Sequence, residues 1–134
     1  MSRTEFPRST RLVWVLLALA LALLAGCSRS LPPEADAEKA RSCLETALAA
    51  WKKGDQPDAL HGGSPAIYLN DPQWQKGHRL VEFKIDSGSE ARMGQGVCYT
   101  VLLTLQDDRG KNNERKVVYQ IHTAKAVVIV PSDS

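Results

Sequence analysis

Val97-Cys98-Tyr99-Thr100-Val101-Leu102-Leu103-Thr104-Leu105 decides the fold class of this chain. Val97, Tyr99, Val101, Leu103 and Leu105 recur at a strict period of two, which places them on one face of an extended strand. Before this strand, residues 80–85 alternate Val81, Phe83 and Ile85 with Glu82 and Lys84. After it, Asp107-Asp108-Arg109-Gly110 is a hairpin turn, because Asp opens a type I turn and Gly accepts the positive φ that follows. Val117, Tyr119 and Ile121 repeat the alternation, and residues 126–130 form a fourth strand. Thr123-Ala124-Lys125 is short enough for a second hairpin, so the third and fourth strands are antiparallel neighbours. Residues 127–130 are apolar on both faces, which predicts a covered strand rather than a free edge.

Upstream the period changes. Ala40, Leu44, Ala47, Leu48 and Trp51 follow the i, i+4, i+7, i+8, i+11 spacing of a buried helical stripe, while Glu38, Arg41, Glu45, Lys52 and Lys53 take the other faces. Pro33 or Asp36 opens this helix and Gly54 closes it, with Lys52-Lys53 at the negative end of the helix dipole. Residues 55–77 are a turn-rich connector in which Ala66-Ile67-Tyr68-Leu69 fits a short strand. Asp71-Pro72 reads as an N-cap and N1 pair for one helical turn that carries Trp74 as an anchor and stops near Gly77. Gly62-Gly63 has neither the strand-to-helix context nor the following Lys of a phosphate loop.

The predicted fold class is therefore α+β: one amphipathic helix packed on a curved antiparallel sheet of about four strands. This element order resembles the cystatin-like and NTF2-like folds, in which a curved sheet wraps a helix. Ala-Leu-Ala-Ala-Trp-Lys-Lys-Gly and Asp-Pro-Gln-Trp-Gln-Lys-Gly are also similar to segments of short exported bacterial proteins, a resemblance that implies no activity. No enzymatic motif of the NTF2-like group is matched residue by residue, so no catalytic role is carried over.

The amino terminus has the parts of an export signal. Arg3, Arg8 and Arg11 oppose a single Glu5, and residues 12–24 are uniformly apolar. A helix of about 13 residues covers roughly 20 Å, short of a hydrocarbon core of about 30 Å. Leu24-Ala25-Gly26-Cys27 resembles the lipobox of bacterial lipoproteins. That resemblance implies diacylglycerol attached to the Cys27 thiol, cleavage before Cys27 and acylation of the new amino terminus. An ordinary secretory signal ending near a Cys is the alternative. Ser28 lacks the Asp associated with inner-membrane retention, so a lipid anchor in the outer membrane, facing the periplasm, is expected. The organisation is then a removed signal peptide over residues 1–26, a lipidated tether over 27–34 and a single domain over 35–134.

The whole chain carries 17 Lys+Arg and 15 Asp+Glu, but three Arg and one Glu precede Cys27, which leaves 14 of each sign. A neutral mature chain without a dense basic cluster lacks the electrostatic footprint of nucleic-acid binding. Its 108 residues suit one domain.

With Cys27 lipidated, Cys43 and Cys98 remain, in a compartment that permits a disulfide. Cys43 edges the helical stripe and Cys98 shares a strand face with Thr100 and Leu102. Were the helix to cover the Val101 face, Cys98 would point away, and bridging requires Cα atoms within about 7 Å. Pairing and free thiols both stay open. Two isolated thiols and the scattered His61, His78 and His122 show no metal-ligand spacing, so no metal or cofactor is expected. The histidines read as solvated or structural, and Asp71, Asp86 and His122 do not form a catalytic set by spacing. The expected function is a lipid-anchored, non-catalytic domain that binds an envelope protein partner or contributes to envelope structure. The alternative is a small-molecule binder or enzyme with a pocket on the concave sheet face, lined by Tyr99, Tyr119 or His122.

Overall fold

A computed structural model of the chain describes residues 35–132. The export signal, the lipobox at Cys27 and the tether lie outside the described residues. Helix α1 spans Ala37–Lys53. Asp36 is its N-cap, with a carboxylate oxygen accepting from the backbone N–H groups of Glu38 and Lys39 at 3.0 and 3.3 Å. Gly54 ends it at φ 95°, a left-handed conformation that costs glycine nothing, and its N–H donates to the carbonyls of Ala50 and Trp51. Ala40, Leu44, Ala47, Leu48 and Trp51 are buried as the spacing predicts, and Cys43 joins them. The alanines let the helix backbone approach the sheet closely.

The sheet contains β1 (Ile67–Leu69), β2 (Arg79–Ile85), β3 (Ala91–Met93), β4 (Gly96–Gln106), β5 (Asn112–His122) and β6 (Val127–Ser132). The strand order is β1-β6-β5-β4-β2, with β3 also paired to β4. The α+β class holds, but the sheet is mixed and six-stranded rather than antiparallel with about four strands. The short stretch at 67–69 is a strand, and it runs parallel to β6. β3 is one arm of a tight hairpin with Gly94 at φ 58°, too short for its three residues to show a period. β2 and β3 share one edge of β4, interrupted by a 3-10 turn at Ser87–Ser89. That turn keeps Thr100 satisfied: its carbonyl accepts from the Asp86 N–H at 2.9 Å and its N–H donates to Ser89 Oγ at 2.8 Å. β6 lies between β1 and β5, while Val128 and Val130 on its second face are half-buried.

The core sits between α1 and the face bearing Val97, Tyr99, Val101, Leu103, Tyr119, Ile121, Val127 and Ile129. The connector is fastened to this core by side chains. Asp71 caps the short helix α2 (Pro72–Gln75) by accepting from the Gln73 N–H at 2.8 Å. Its other carboxylate oxygen accepts from the Tyr119 hydroxyl at 2.5 Å. Trp74 stacks on Trp51 with ring centroids 5.5 Å apart. Both indoles are tied, Trp51 Nε1 to the His78 carbonyl at 2.8 Å and Trp74 Nε1 to the Asp55 carbonyl at 3.1 Å.

Burial, and then the Asp71 carboxylate beside it, pushes the Tyr119 phenol far above its usual range, so it stays a donor. The raised folded-state value favours the neutral phenol. Its stabilisation is thus complete below the unfolded phenol's pKa of about 10 and is lost as pH rises beyond it. Tyr119→Phe leaves a buried carboxylate oxygen without its donor and is expected to cost about 1–3 kcal/mol. In a domain of this size each kcal/mol lowers Tm by about 4–8 °C. The variant also loses part of the alkaline decline in stability above about pH 10. Thermal unfolding of both proteins at neutral and alkaline pH checks this, and an unchanged Tm at neutral pH would show that the hydrogen bond fastens nothing.

Candidate functional site

Tyr99 and Tyr119 are register partners on the helix-covered face, and they are 1 % and 0 % exposed. The Tyr99 hydroxyl donates to the Ala37 carbonyl at 3.1 Å, at the first turn of α1, and the Tyr119 hydroxyl is committed to Asp71. His122 is three residues from Tyr119 along one strand and faces the other side of the sheet. There it packs over Gly96, where an added Cβ would lie 3.0 Å from His122 Cε1. The three residues therefore do not line one common pocket. Asp86 caps a turn, its carboxylate accepting from the Gly88 N–H at 3.0 Å.

Cys43 and Cys98 are both free and buried. Cys43 belongs to the core cluster, whereas Cys98 shares the outer sheet face with its register partners Ala91 and Gln120. Burial pushes both thiols up, which keeps them protonated and poorly nucleophilic.

Accessible polar side chains also lie on that outer face. A cleft of about 510 Å³ is lined by Lys84, Asp86, Ser87, Thr100, Leu102 and Lys116 among others. Lys84, Leu102 and Lys116 form one row across β2, β4 and β5, because Leu102 pairs with Lys84 on one side and with Lys116 on the other. Neighbouring strands are about 4.8 Å apart, so the two lysine Cα atoms lie roughly 10 Å apart with both stems on one face. Leu102 between them is 38 % exposed. The ion pairs among the described residues are Arg41 with Glu45 and Lys52 with Glu82, so neither lysine of the row is neutralised by a salt bridge there. Two ammonium groups flanking an apolar side chain can hold an anionic group that sits beside an apolar one.

Sequence reasoning alone does not find this row, because it depends on strand register. One signal was present: Leu102 is an apolar residue on the polar phase of an otherwise strict alternation. No family model matches this chain, and neither a curated protein nor a solved structure does.

Leu102 and Leu103 are adjacent but face opposite sides, the second being fully buried. Leu102→Asn is expected to change stability by less than about 0.5 kcal/mol. Leu103→Ala is expected to cost about 2–5 kcal/mol through the cavity it leaves. Denaturant unfolding of the two variants checks the assignment, and comparable losses would mean that Leu102 is a packing residue.

Proposed function

We propose that the chain is a lipid-anchored lipoprotein of the bacterial cell envelope whose domain is a non-catalytic binding module. In this reading Cys27 carries the lipid, the anchor lies in the outer membrane facing the periplasm, and the domain adopts a helix-wrapped arrangement of the cystatin-like or NTF2-like kind. The observation that carries the binding role is the filled concave side. Tyr99 and Tyr119 are buried there with their hydroxyls committed, and the outer face carries polar and apolar groups side by side. The row Lys84, Leu102 and Lys116 then selects an envelope protein partner that presents a carboxylate next to an apolar side chain. A small-molecule pocket on the concave side would require displacement of α1 or of the Asp71 lock.

Two measurements test this reading. Intact mass of the membrane-extracted chain is expected to show a lipid-modified species beginning at Cys27, absent in Cys27→Ala; an unmodified chain overturns the anchor. A photo-crosslinking residue at position 102 is expected to give a discrete adduct in living cells, one that disappears in a folded Lys84→Glu, Lys116→Glu variant. The same probe at Asp108, in the far hairpin turn, serves as control. Adducts at 108 with none at 102 would remove the outer face as the binding surface.

A further inference from the structure

We infer that the free edge of β2 is a self-association surface, on which β2 of a second copy of this chain adds antiparallel with Phe83 opposite Phe83. This goes beyond the proposed envelope role and depends on neither the anchor nor the envelope partner. Among the described residues, β2 ends the strand order β1-β6-β5-β4-β2, so one of its sides has no strand neighbour. It is the long edge, with seven residues, whereas β1 and β3 have three each. Parity fixes which backbone groups that edge presents. The Asp86 N–H donates to the Thr100 carbonyl at 2.9 Å, and Lys84 and Glu82, paired with Leu102 and Thr104, turn their backbone groups the same way. Phe83 and Ile85 therefore turn theirs outward. The Phe83 N–H donates at 3.2 Å to Oε1 of the adjacent Glu82, whose Oε2 lies 3.3 Å from Lys52 Nζ. A side chain one residue away thus stands in for the missing strand. Both members of that ion pair are exposed, so the contact contributes little and yields to a backbone carbonyl at small cost.

The side chains of β2 select the occupant. Residues directly opposite in an antiparallel pair lie on the same face, so a twofold axis that continues the sheet passes through a residue rather than between two. An axis at Glu82 sets Glu82 against Glu82, and one at Lys84 sets Lys84 against Lys84. An axis at Phe83 sets Glu82 against Lys84 twice, flanked by Val81 against Ile85. Like charges directly opposite are destabilising and opposite charges stabilising, which singles out the Phe83 register. In it Phe83 exchanges both backbone hydrogen bonds with its counterpart, and Glu82 is released to face Lys84 of the second copy. Phe83 and Ile85 are partly buried against the core, and the added strand covers the side they leave open. The outer-face row then reads Lys116, Leu102, Lys84 and Glu82 of the second copy, which leaves Leu102 and Lys116 open to another partner.

Sedimentation of the full chain in density-matched detergent is expected to show a monomer–dimer equilibrium across a concentration series. Glu82→Lys and Lys84→Glu are each expected to weaken dimerisation by at least about ten-fold, because each makes both cross-strand pairs like-charged. Mixed together, the two variants are expected to form a heterodimer of near wild-type strength, since every pair between positions 82 and 84 then joins opposite charges. A role of Glu82 within its own chain cannot produce that recovery. A wild type that stays monomeric at the highest concentration overturns the proposal, as does a dimer that neither substitution weakens or that mixing does not restore. Hydrogen exchange of the wild type tests the edge without any substitution. The Phe83 and Ile85 amides are expected to slow as the dimer fills, and unchanged exchange there in a dimeric chain places the interface elsewhere and overturns the proposal.

Discussion

The hydrogen bond from the Tyr119 hydroxyl to the buried Asp71 carboxylate is the constraint on which the arrangement of the domain depends. Asp71 is 2 % exposed. A carboxylate removed from water to that extent is costly unless its oxygens are matched by donors. Here the Gln73 N–H matches one oxygen and the Tyr119 hydroxyl the other. The first contact starts α2, and the second pins α2 to β5. With α2 held, Trp74 meets Trp51, and the indole of Trp51 reaches the His78 carbonyl at the start of β2. A connector of turns is thereby made part of the core, and its second half carries the chain from β1 at one end of the strand order to β2 at the other.

Constraints of the same kind fill the concave side of the sheet. Both tyrosines that could have decorated a concave pocket are used to join elements, Tyr99 to the first turn of α1 and Tyr119 to α2. Their polar ends are spent on intramolecular partners, and α1 occupies the volume in front of them. Across β2, β4 and β5, Lys84, Leu102 and Lys116 stand on the opposite face, while the chain neighbours of Leu102, Val101 and Leu103, carry the packing on the reverse.

Much of the framework was legible because it is encoded locally. Asp36, Gly54 and the pair Asp71-Pro72 act through their own backbone geometry, and the alternation in β4 needs no partner to be recognised. What stayed hidden depends on contacts between distant segments. Nothing near Asp71 in sequence indicates that its second oxygen meets a tyrosine on β5. The pairing of β1 with β6 is likewise set by the route of the connector, and three residues cannot reveal it. The separation of His122 from Tyr119 was legible by contrast, since residues three apart on a strand face opposite sides.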